Sequence, residues 1–118
     1  MSIEEINASS VINAMAERVM QVNTDNGWFA GTRTFGEDIA LLHSEVSEAL
    51  EAYRDHGLED MTNEAEGSKP EGVGSELADV LVRLLDTCYR YNIDLYAEFN
   101  RKVAYNATRG HRHGGKKL

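Results

Sequence analysis

The sequence predicts an all-α protein with a single domain, and three observations support this prediction. Apolar residues recur at spacings of three and four in four separate segments, which is the pattern of an amphipathic helix. No stretch shows the sustained apolar–polar alternation of a half-buried strand. The one proline, Pro70, falls in a polar, glycine-rich stretch between two helical segments. A chain of 118 residues suits one domain with one core.

The first two helical segments have clear periodicity, and the second also has recognisable ends. The first runs from about residue 8 to 23. The second opens at Thr34, where Glu37 three residues later completes a capping-box pattern. It ends near Asp55, because Gly57 supplies a C-terminal stop. The core-facing stripe of the first segment is expected to comprise Ile12, Met15, Val19 and Val22.

Two further helices follow a long polar loop. The third is predicted over residues 75–92, and the fourth begins after the N-cap Asp94 and ends at the triplet "TRG". The leucine-rich stripe of the third comprises Leu77, Val80, Leu81, Leu84, Leu85 and Cys88. The inward stripe of the fourth comprises Tyr96, Phe99 and Val103. We expect antiparallel packing of the second and third helices, with contacts made by Val46, Leu50, Val80 and Leu84.

Charge is distributed unevenly along the chain. Residues 99–118 contain six of the 12 Lys and Arg residues and none of the 20 Asp and Glu residues. We therefore divide the chain into a helical domain, residues 1–110, and a basic flexible tail, residues 111–118. The acidic body is a poor match for a nucleic acid polymer, which requires a broad basic surface. A small polyanion held by metal ions on one side and basic side chains on the other fits better.

Composition also bears on location. Apolar runs are far shorter than the about 18 residues that span a membrane, and the first ten residues, "MSIEEINASS", lack the apolar core of a signal peptide. The single cysteine, Cys88, lies in an apolar run and can form no internal disulfide. We expect a cytoplasmic protein without membrane contact, in which Cys88 is a small core residue.

Two pairs of acidic residues lie beside the apolar stripes of the second and third helices. One pair is Glu45 and Glu48, and the other is Glu76 and Asp79. Residues three apart share a helix face, where like charges repel by roughly 0.2–0.5 kcal/mol. A solvated face is the ordinary explanation of one such pair. Two pairs on successive antiparallel helices favour a different explanation, in which four carboxylates converge on a divalent cation.

The residue types of these pairs indicate which cation to expect. Oxygen ligands favour Mg²⁺, or Mn²⁺, over zinc, which prefers His or Cys. A di-iron centre of the ferritin type needs Glu-x-x-His motifs. Neither acidic pair has a histidine at that position, and His43 lies elsewhere on the helix.

The fourth helix carries three polar side chains on one face. Lys102, Asn106 and Arg109 follow one another at i, i+4 and i+7. A Lys charge, an amide donor and an Arg fork are suitable partners for phosphate oxygens. The alternative is an ordinary basic C-terminal turn, which the helix dipole favours.

Together these motifs resemble those of the MazG-like nucleoside triphosphate pyrophosphohydrolases. That family belongs to the all-α superfamily that also holds dimeric dUTPases and phosphoribosyl-ATP pyrophosphohydrolases. The resemblance rests on Glu45-x-x-Glu48, on Glu76-x-x-Asp79 and on the later "KVAYNATRG", and it covers roughly residues 8–110. The segment "FGEDIALLHSEVSEALEAYR" is similar in particular to the short, single-domain members.

The resemblance implies a four-helix bundle-like fold, assembled as a homodimer or homotetramer. It also implies Mg²⁺-dependent hydrolysis of a (d)NTP substrate to the monophosphate and pyrophosphate, as nucleotide-pool housekeeping. The four motif acids would hold Mg²⁺, and Glu48 and Glu45 would be the catalytic carboxylates. Trp28, in a glycine-containing loop, would lie near the base, with packing as a lid residue as the alternative. The side chains that would contact phosphates are Lys102, Asn106 and Arg109.

Ser44 departs from the family pattern. Many members have a glutamate at this position that is a candidate general base, whereas a serine hydroxyl cannot deprotonate water at neutral pH. Either Glu48 takes the role or no separate base is needed. A second hypothesis is therefore a catalytically weak protein that senses nucleotides or docks on a partner. A di-iron carboxylate protein is the third, and the missing histidines disfavour it.

Overall fold

The computed structural model describes residues 2–27, 33–62 and 68–109. Within these ranges the chain forms four α-helices and no β-strand, which confirms the all-α prediction. The helices are α1 (Ile3–Asp25), α2 (Phe35–His56), α3 (Val73–Arg90) and α4 (Leu95–Thr108). None of these four helices has the length and apolar character needed to cross a bilayer.

Helix α1 begins at Ile3, well before the predicted start near residue 8. The reason is a complete capping box. The Ser2 hydroxyl accepts a hydrogen bond from the Glu5 amide at 3.1 Å, and the Glu5 carboxylate accepts one from the Ser2 amide at 3.0 Å. The predicted stripe contributes to the core only in part, since Met15 and Val22 are exposed.

The helix ends at Thr34, Gly57 and Asp94 agree with the capping residues that the sequence predicts, whereas α3 begins two residues before the predicted start and without a side-chain cap. The Thr34 hydroxyl accepts a hydrogen bond from the Glu37 amide at 3.1 Å. The Asp94 carboxylate accepts one from the Ala97 amide at 3.0 Å. Gly57 ends α2 with a φ of 71°, a left-handed conformation that glycine adopts without strain. Both N-caps and the stop signal are therefore confirmed.

A close backbone approach fixes the start of α3. Gly72 has a φ of 109°, and a Cβ atom there would lie 2.6 Å from the Met61 carbonyl oxygen. The Gly74 amide donates a hydrogen bond to that same carbonyl, and a Cβ atom at Gly74 would lie 2.8 Å from the Thr62 hydroxyl oxygen. Glycine is required at both positions. The turn at Met61 is thus held against the helix turn that carries Glu76.

Helix α3 is the centre of the fold. Helix α2 packs along it, and α1 also packs on it, while α4 contacts α1. Asp38 near the start of α2 pairs with Arg90 at the end of α3, and Glu45 farther along α2 pairs with Arg83. This order of contacts confirms the antiparallel prediction for α2 and α3.

The α2 side chains that face α3 differ from the predicted ones. Val46 and Leu50 are 53% and 58% exposed, whereas Glu45 and Ala49 on the neighbouring face are buried. The prediction that Val46 and Leu50 form this contact is wrong. Helix α2 turns its acidic side towards α3, because basic side chains of α3 pair with it there.

The apolar core of the single chain is small. Phe99 and Val103, predicted to point inward from α4, are 58% and 49% exposed. Phe99 nevertheless lines a groove that α4 forms with α1 and α3, so it faces the body of the chain without being buried, because α4 packs mainly on α1 and buries none of its residues. Cys88 is buried, as predicted. The buried apolar side chains among the described residues are Ala16, Ala49, Val73, Leu85 and Cys88.

Candidate metal centre

Three of the four predicted carboxylates come together between α2 and α3. Glu45, Glu76 and Asp79 each place one carboxylate oxygen within 4.8 Å of the other two. Antiparallel packing brings Glu45 opposite the first turns of α3, where Glu76 and Asp79 share a face. We call these three residues the acidic trio.

Glu45 is the buried member of the acidic trio. It is 8% exposed, and the Arg83 Nε donates a hydrogen bond to its Oε1 at 3.0 Å. Its other oxygen, Oε2, is buried and has no hydrogen-bond partner among the described residues. A buried carboxylate oxygen without a partner is costly. A cation bound to the trio would remove that cost.

Glu48 lies beside the acidic trio and lines the same cleft. It is exposed, and its carboxyl group lies next to that of Glu45. When both groups are ionised, neither can donate a hydrogen bond to the other. The pKa of Glu48 is therefore raised, first by Glu45, then by burial and the charge of Glu76, against an opposing effect of Lys69.

Glu76 is in similarly unfavourable surroundings. Burial raises its pKa, and the charges of Asp79 and Glu45 raise it further, while the charge of Lys69 acts in the opposite direction. A raised pKa means that the ionised carboxylate is less stable here than in water. A nearby divalent cation would reverse this effect, because an opposite charge favours the ionised form.

The donor set of the acidic trio fits a hard divalent cation. It consists of carboxylate oxygens, which Mg²⁺ and Mn²⁺ accept and which zinc uses less readily than His or Cys. No His or Cys of the described residues belongs to the group, and His43 and His56 are exposed elsewhere on α2. The unpartnered Glu45 oxygen and the raised pKa of Glu76 agree with this fit.

A polar cleft of about 590 Å³ opens beside the acidic trio. Its volume is in the range of pockets that bind small molecules. Acidic and basic side chains reach it from α2, α3 and the segments before these two helices, and Asn23 reaches it from α1. The basic side chains that line it are Arg33, Lys69 and Arg83.

A second charged cluster, which the sequence analysis does not predict, lies farther along the same two helices. Asp38 is 2% exposed and lies 2.8 Å from Arg90 and 2.9 Å from Arg33. The Tyr91 hydroxyl donates a hydrogen bond to Asp38 at 3.2 Å. Asp86 accepts hydrogen bonds from Arg90 at 3.2 and 3.3 Å and lies 3.5 Å from Arg33. We call Asp38, Asp86, Arg33 and Arg90 the buried ion network.

The buried ion network balances its charges. Burial by itself would raise the pKa of Asp38, but hydrogen bonds from Arg90 and Arg33 outweigh it, so that this pKa is lowered. Burial would lower the pKa of Arg90, and its bonds to Asp38 and Asp86 raise it instead. Asn23 of α1 donates a hydrogen bond to Asp86 at 3.3 Å. The network therefore ties α1, α2 and α3 together.

The sequence does contain a signal for this network. Asp38 precedes Glu45 by seven residues, and Asp86 follows Asp79 by seven. Seven residues are close to two helical turns, so each aspartate continues the acidic face of its helix. The signal is weak, because nothing in the sequence identifies Arg33 and Arg90 as the partners.

The predicted phosphate-binding residues lie on α4, and none of the described α4 residues lines the cleft. Lys102 instead lines an apolar groove of about 670 Å³, formed with α1 and α3. Asn106 and Arg109 are exposed, and the Arg109 guanidinium lies 5.8 Å from the centre of the Tyr105 ring. The single chain does not bring these three side chains to the acidic trio, and their role stays a prediction.

Ser44 and Trp28 complete the predicted site residues. The Ser44 hydroxyl donates a hydrogen bond to the Leu41 carbonyl at 2.6 Å, so it is bound to its own helix. Trp28, predicted near the base, and the tail, residues 111–118, lie outside the described residues. Comparison of the chain with family models, curated proteins and solved structures finds no match.

Proposed function

We propose that this protein hydrolyses (d)NTPs to the monophosphate and pyrophosphate with Mg²⁺, as part of nucleotide-pool housekeeping. The observation that carries the proposal is the buried Glu45 oxygen without a partner, at the centre of three clustered carboxylates. The cleft beside them has the volume for a small-molecule ligand. The motif resemblance supplies the reaction, because the same acids are its metal-binding residues.

The acidic trio and Glu48 have separate roles in this proposal. Glu45, Glu76 and Asp79 hold the cation, which neutralises phosphate charge and makes water more acidic. Glu48, which lies beside Glu45 and lines the cleft, accepts the proton of the attacking water. The water oxygen bonds to the α-phosphorus as the bond to the bridging oxygen breaks, and pyrophosphate leaves. Ser44 takes no part, because its hydroxyl is bound to Leu41.

The buried ion network has a positioning role. It joins the start of α2 to the end of α3 through Asp38 and Arg90. Glu45 lies about two turns farther along α2, opposite the acids of α3. Because helices of this length are stiff, fixing one end of the contact sets the register at the other. The network thereby holds the acidic trio together without contributing a ligand.

Assembly as a homodimer or homotetramer is part of the proposal. Val46, Leu50 and Tyr53 form one stripe of α2, and each is at least half exposed. Burying a Val or Leu side chain stabilises by about 1.5–3 kcal/mol. Among the described residues only one Leu and one Val, Leu85 and Val73, are buried. A second copy that covers this stripe would add the apolar burial that the single chain lacks.

Pyrophosphate release tests the enzymatic proposal. A panel of canonical and modified dNTPs and NTPs is incubated with Mg²⁺, with Mn²⁺ and with EDTA. We expect release with either metal ion, a monophosphate as the other product, and no release in EDTA. A folded protein that releases pyrophosphate from no nucleotide under any of these conditions would contradict the proposal.

Sedimentation velocity tests the assembly. Leu50→Glu places a charge in the exposed stripe, and we expect it to shift the protein towards the monomer. Ser47→Glu adds the same charge to an exposed position of α2 outside the stripe and serves as the control. A wild-type protein that sediments as a monomer at all concentrations would contradict the assembly proposal while leaving the enzymatic one open to its own test.

The second candidate function is nucleotide sensing or partner docking without efficient turnover. Ser44 favours it, because a carboxylate at this position would be a candidate base and the serine hydroxyl is instead bound to its helix. Binding of a (d)NTP with Mg²⁺ present, but without pyrophosphate release, is the result that this function predicts. Calorimetry on the same nucleotide panel distinguishes the two functions.

A further inference from the structure

The arginines of the cleft are held in different ways. Arg33 lies 2.9 Å from Asp38 and 3.5 Å from Asp86, so it belongs to the charge-balanced network. Arg83 forms its salt bridge with Glu45, at 3.0 Å, and this carboxylate belongs to the acidic trio. Arg83 and a bound cation would therefore share one carboxylate. Arg33 has no such competitor for its partners.

Lys69 is the second basic group beside the acidic trio. It lies in the segment before α3 and lines the cleft together with Glu48 and Asp79. Its charge opposes the rise in the pKa of Glu48 and of Glu76. The residue is exposed, and a lysine side chain is flexible enough to change partners.

Cation binding changes the charge balance around these two basic groups. Without a cation, the trio and Glu48 supply four carboxylates against the charges of Arg83 and Lys69. The site is then net acidic and repels phosphate. One divalent cation cancels that excess. Because the cation would take Glu45, the carboxylate with which Arg83 pairs, Arg83 becomes available to an anion in the cleft. Lys69 already lines the cleft and forms no ion pair with the described carboxylates.

We propose that Arg83 and Lys69 bind the phosphate chain of the ligand once a divalent cation has bound to the acidic trio. Cation binding thus precedes phosphate binding. The ligand class is a linear polyphosphate, and this choice rests on the proposed function. The guanidinium of Arg83 matches two phosphate oxygens at once, and the ammonium of Lys69 supplies a point charge. This site is distinct from the predicted residues on α4, which lie outside the cleft.

The test measures binding and requires no turnover. Inorganic tripolyphosphate is titrated calorimetrically into the protein with saturating Mn²⁺ and, separately, with EDTA. The affinity for Mn²⁺ alone is measured by electron paramagnetic resonance. The variants are Arg83→Gln and Lys69→Gln. Arg54→Gln is the control, because Arg54 is an exposed arginine of α2 that pairs with Glu51 outside the cleft.

We expect each cleft variant to bind tripolyphosphate about tenfold more weakly than the wild type, since a charge-assisted contact is lost. Arg54→Gln should bind like the wild type. In EDTA the wild type should lose at least about tenfold in affinity, because the carboxylates then repel the anion. Arg83→Gln should bind Mn²⁺ at least as tightly as the wild type, because a competing positive charge has been removed.

Three results would overturn the inference. Weaker Mn²⁺ binding by Arg83→Gln would show that Arg83 only orients Glu45. Wild-type tripolyphosphate affinity in both cleft variants would exclude them as phosphate ligands, and a loss in Lys102→Gln instead would place that site on α4. Tripolyphosphate binding in EDTA equal to that with Mn²⁺ would remove the cation requirement.

The inference and the proposed function fail separately. Pyrophosphate release by the wild type, with unchanged tripolyphosphate binding by Arg83→Gln, leaves the function standing and removes the inference. The opposite result is also possible. If tripolyphosphate binding depends on the cation and on Arg83 but no nucleotide releases pyrophosphate, the inference is supported and the proposed hydrolase activity is excluded.

Discussion

Asp38 and Glu45 lie on the same face of α2, about two turns apart, and both are buried. Their surroundings are nevertheless opposite. Asp38 is paired with Arg90 and Arg33, and its pKa is lowered although burial acts against this. Glu45 lies in a group of carboxyl groups that has fewer positive charges than negative ones. The neighbours of Glu45 reflect this excess, because the pKa values of Glu48 and Glu76 are raised.

The comparison separates two uses of buried charge on one pair of helices. The buried ion network is balanced, so its groups are satisfied by the protein itself. The acidic trio is not balanced, and Glu45 keeps one oxygen without a partner among the described residues. In a purely structural cluster, an unpartnered buried oxygen only lowers stability. In a binding site the bound ligand pairs with that oxygen and removes the cost. The difference is what a stabilising role for the network and the proposed cation binding by the trio both predict.

Asp38→Asn should produce the largest loss of stability. It removes the negative charge that Arg90 and Arg33 share, and breaking a buried pair in this way costs about 3 kcal/mol of unfolding free energy. Urea denaturation measures it. Asp55→Asn, at an exposed position of α2, should change the unfolding free energy by less than about 0.5 kcal/mol. A similar small effect of Asp38→Asn would mean that the network is not a source of stability.

Glu45→Gln should cause a large loss of activity, just as Asp38→Asn should cause a large loss of stability. The amide keeps an acceptor for Arg83 but removes the charge at the centre of the acidic trio. Pyrophosphate release should fall by about 100-fold or more, because a cation ligand is lost. Steady-state rates at saturating Mg²⁺ measure it, with Glu51→Gln on the exposed side of α2 as the control. Glu45→Gln with wild-type activity would exclude the trio as the catalytic metal centre.

Much of the fold is readable from the sequence, because caps and periodicity are local properties. Thr34, Gly57 and Asp94 end or begin helices where the sequence predicts. The orientation of α2 is not readable in this way. Its larger apolar stripe and its acidic face are both plausible inner faces, and pairing of Glu45 with Arg83 on another helix decides between them.

The candidate site also has one part that the sequence predicts and one part that it does not. The spacing of the two acidic pairs predicts that all four carboxylates meet, because it depends on two helix faces and one antiparallel contact. The structure brings three of them together and leaves Glu48 beside the group. The buried ion network needs Arg33 and Arg90 to find acids on other segments, and such pairings have no local signature. Lys102 shows that a shared helix face is not sufficient either. It lies on the same face of α4 as Asn106, yet within one chain it lines an apolar groove and not the predicted site.

Magnesium should stabilise the protein, and more so at higher pH. The native state without a cation binds extra protons through the raised pKa values of Glu48 and Glu76. Its stability therefore falls as the pH rises through the interval between their ordinary and raised pKa values. Mg²⁺ at ten times its Kd should add about 1.4 kcal/mol above that interval and less below it, where protons compete.

Thermal unfolding with and without Mg²⁺, at about pH 4, below the ordinary pKa of a glutamate, and at about pH 8, measures this stabilisation. Glu45→Gln is the control for cation binding elsewhere on the acidic surface, and it should lose most of the effect. Equal stabilisation at both pH values, or equal stabilisation of Glu45→Gln, would show that Mg²⁺ acts outside the acidic trio.

Glu76→Gln should change the unfolding free energy by the smallest amount. The sign of this change distinguishes the acidic trio from the buried ion network most directly. The substitution removes one charge from a group in which burial and Asp79 already disfavour the ionised form. The cation-free protein should therefore become more stable, by about 0.5 kcal/mol. Asp38→Asn is the same kind of substitution and should act in the opposite direction. Urea denaturation in EDTA at neutral pH compares the two variants. A loss of stability in Glu76→Gln would mean that the protein itself balances the charge of the acidic trio, and the case for a bound cation would then rest on the unpartnered Glu45 oxygen alone.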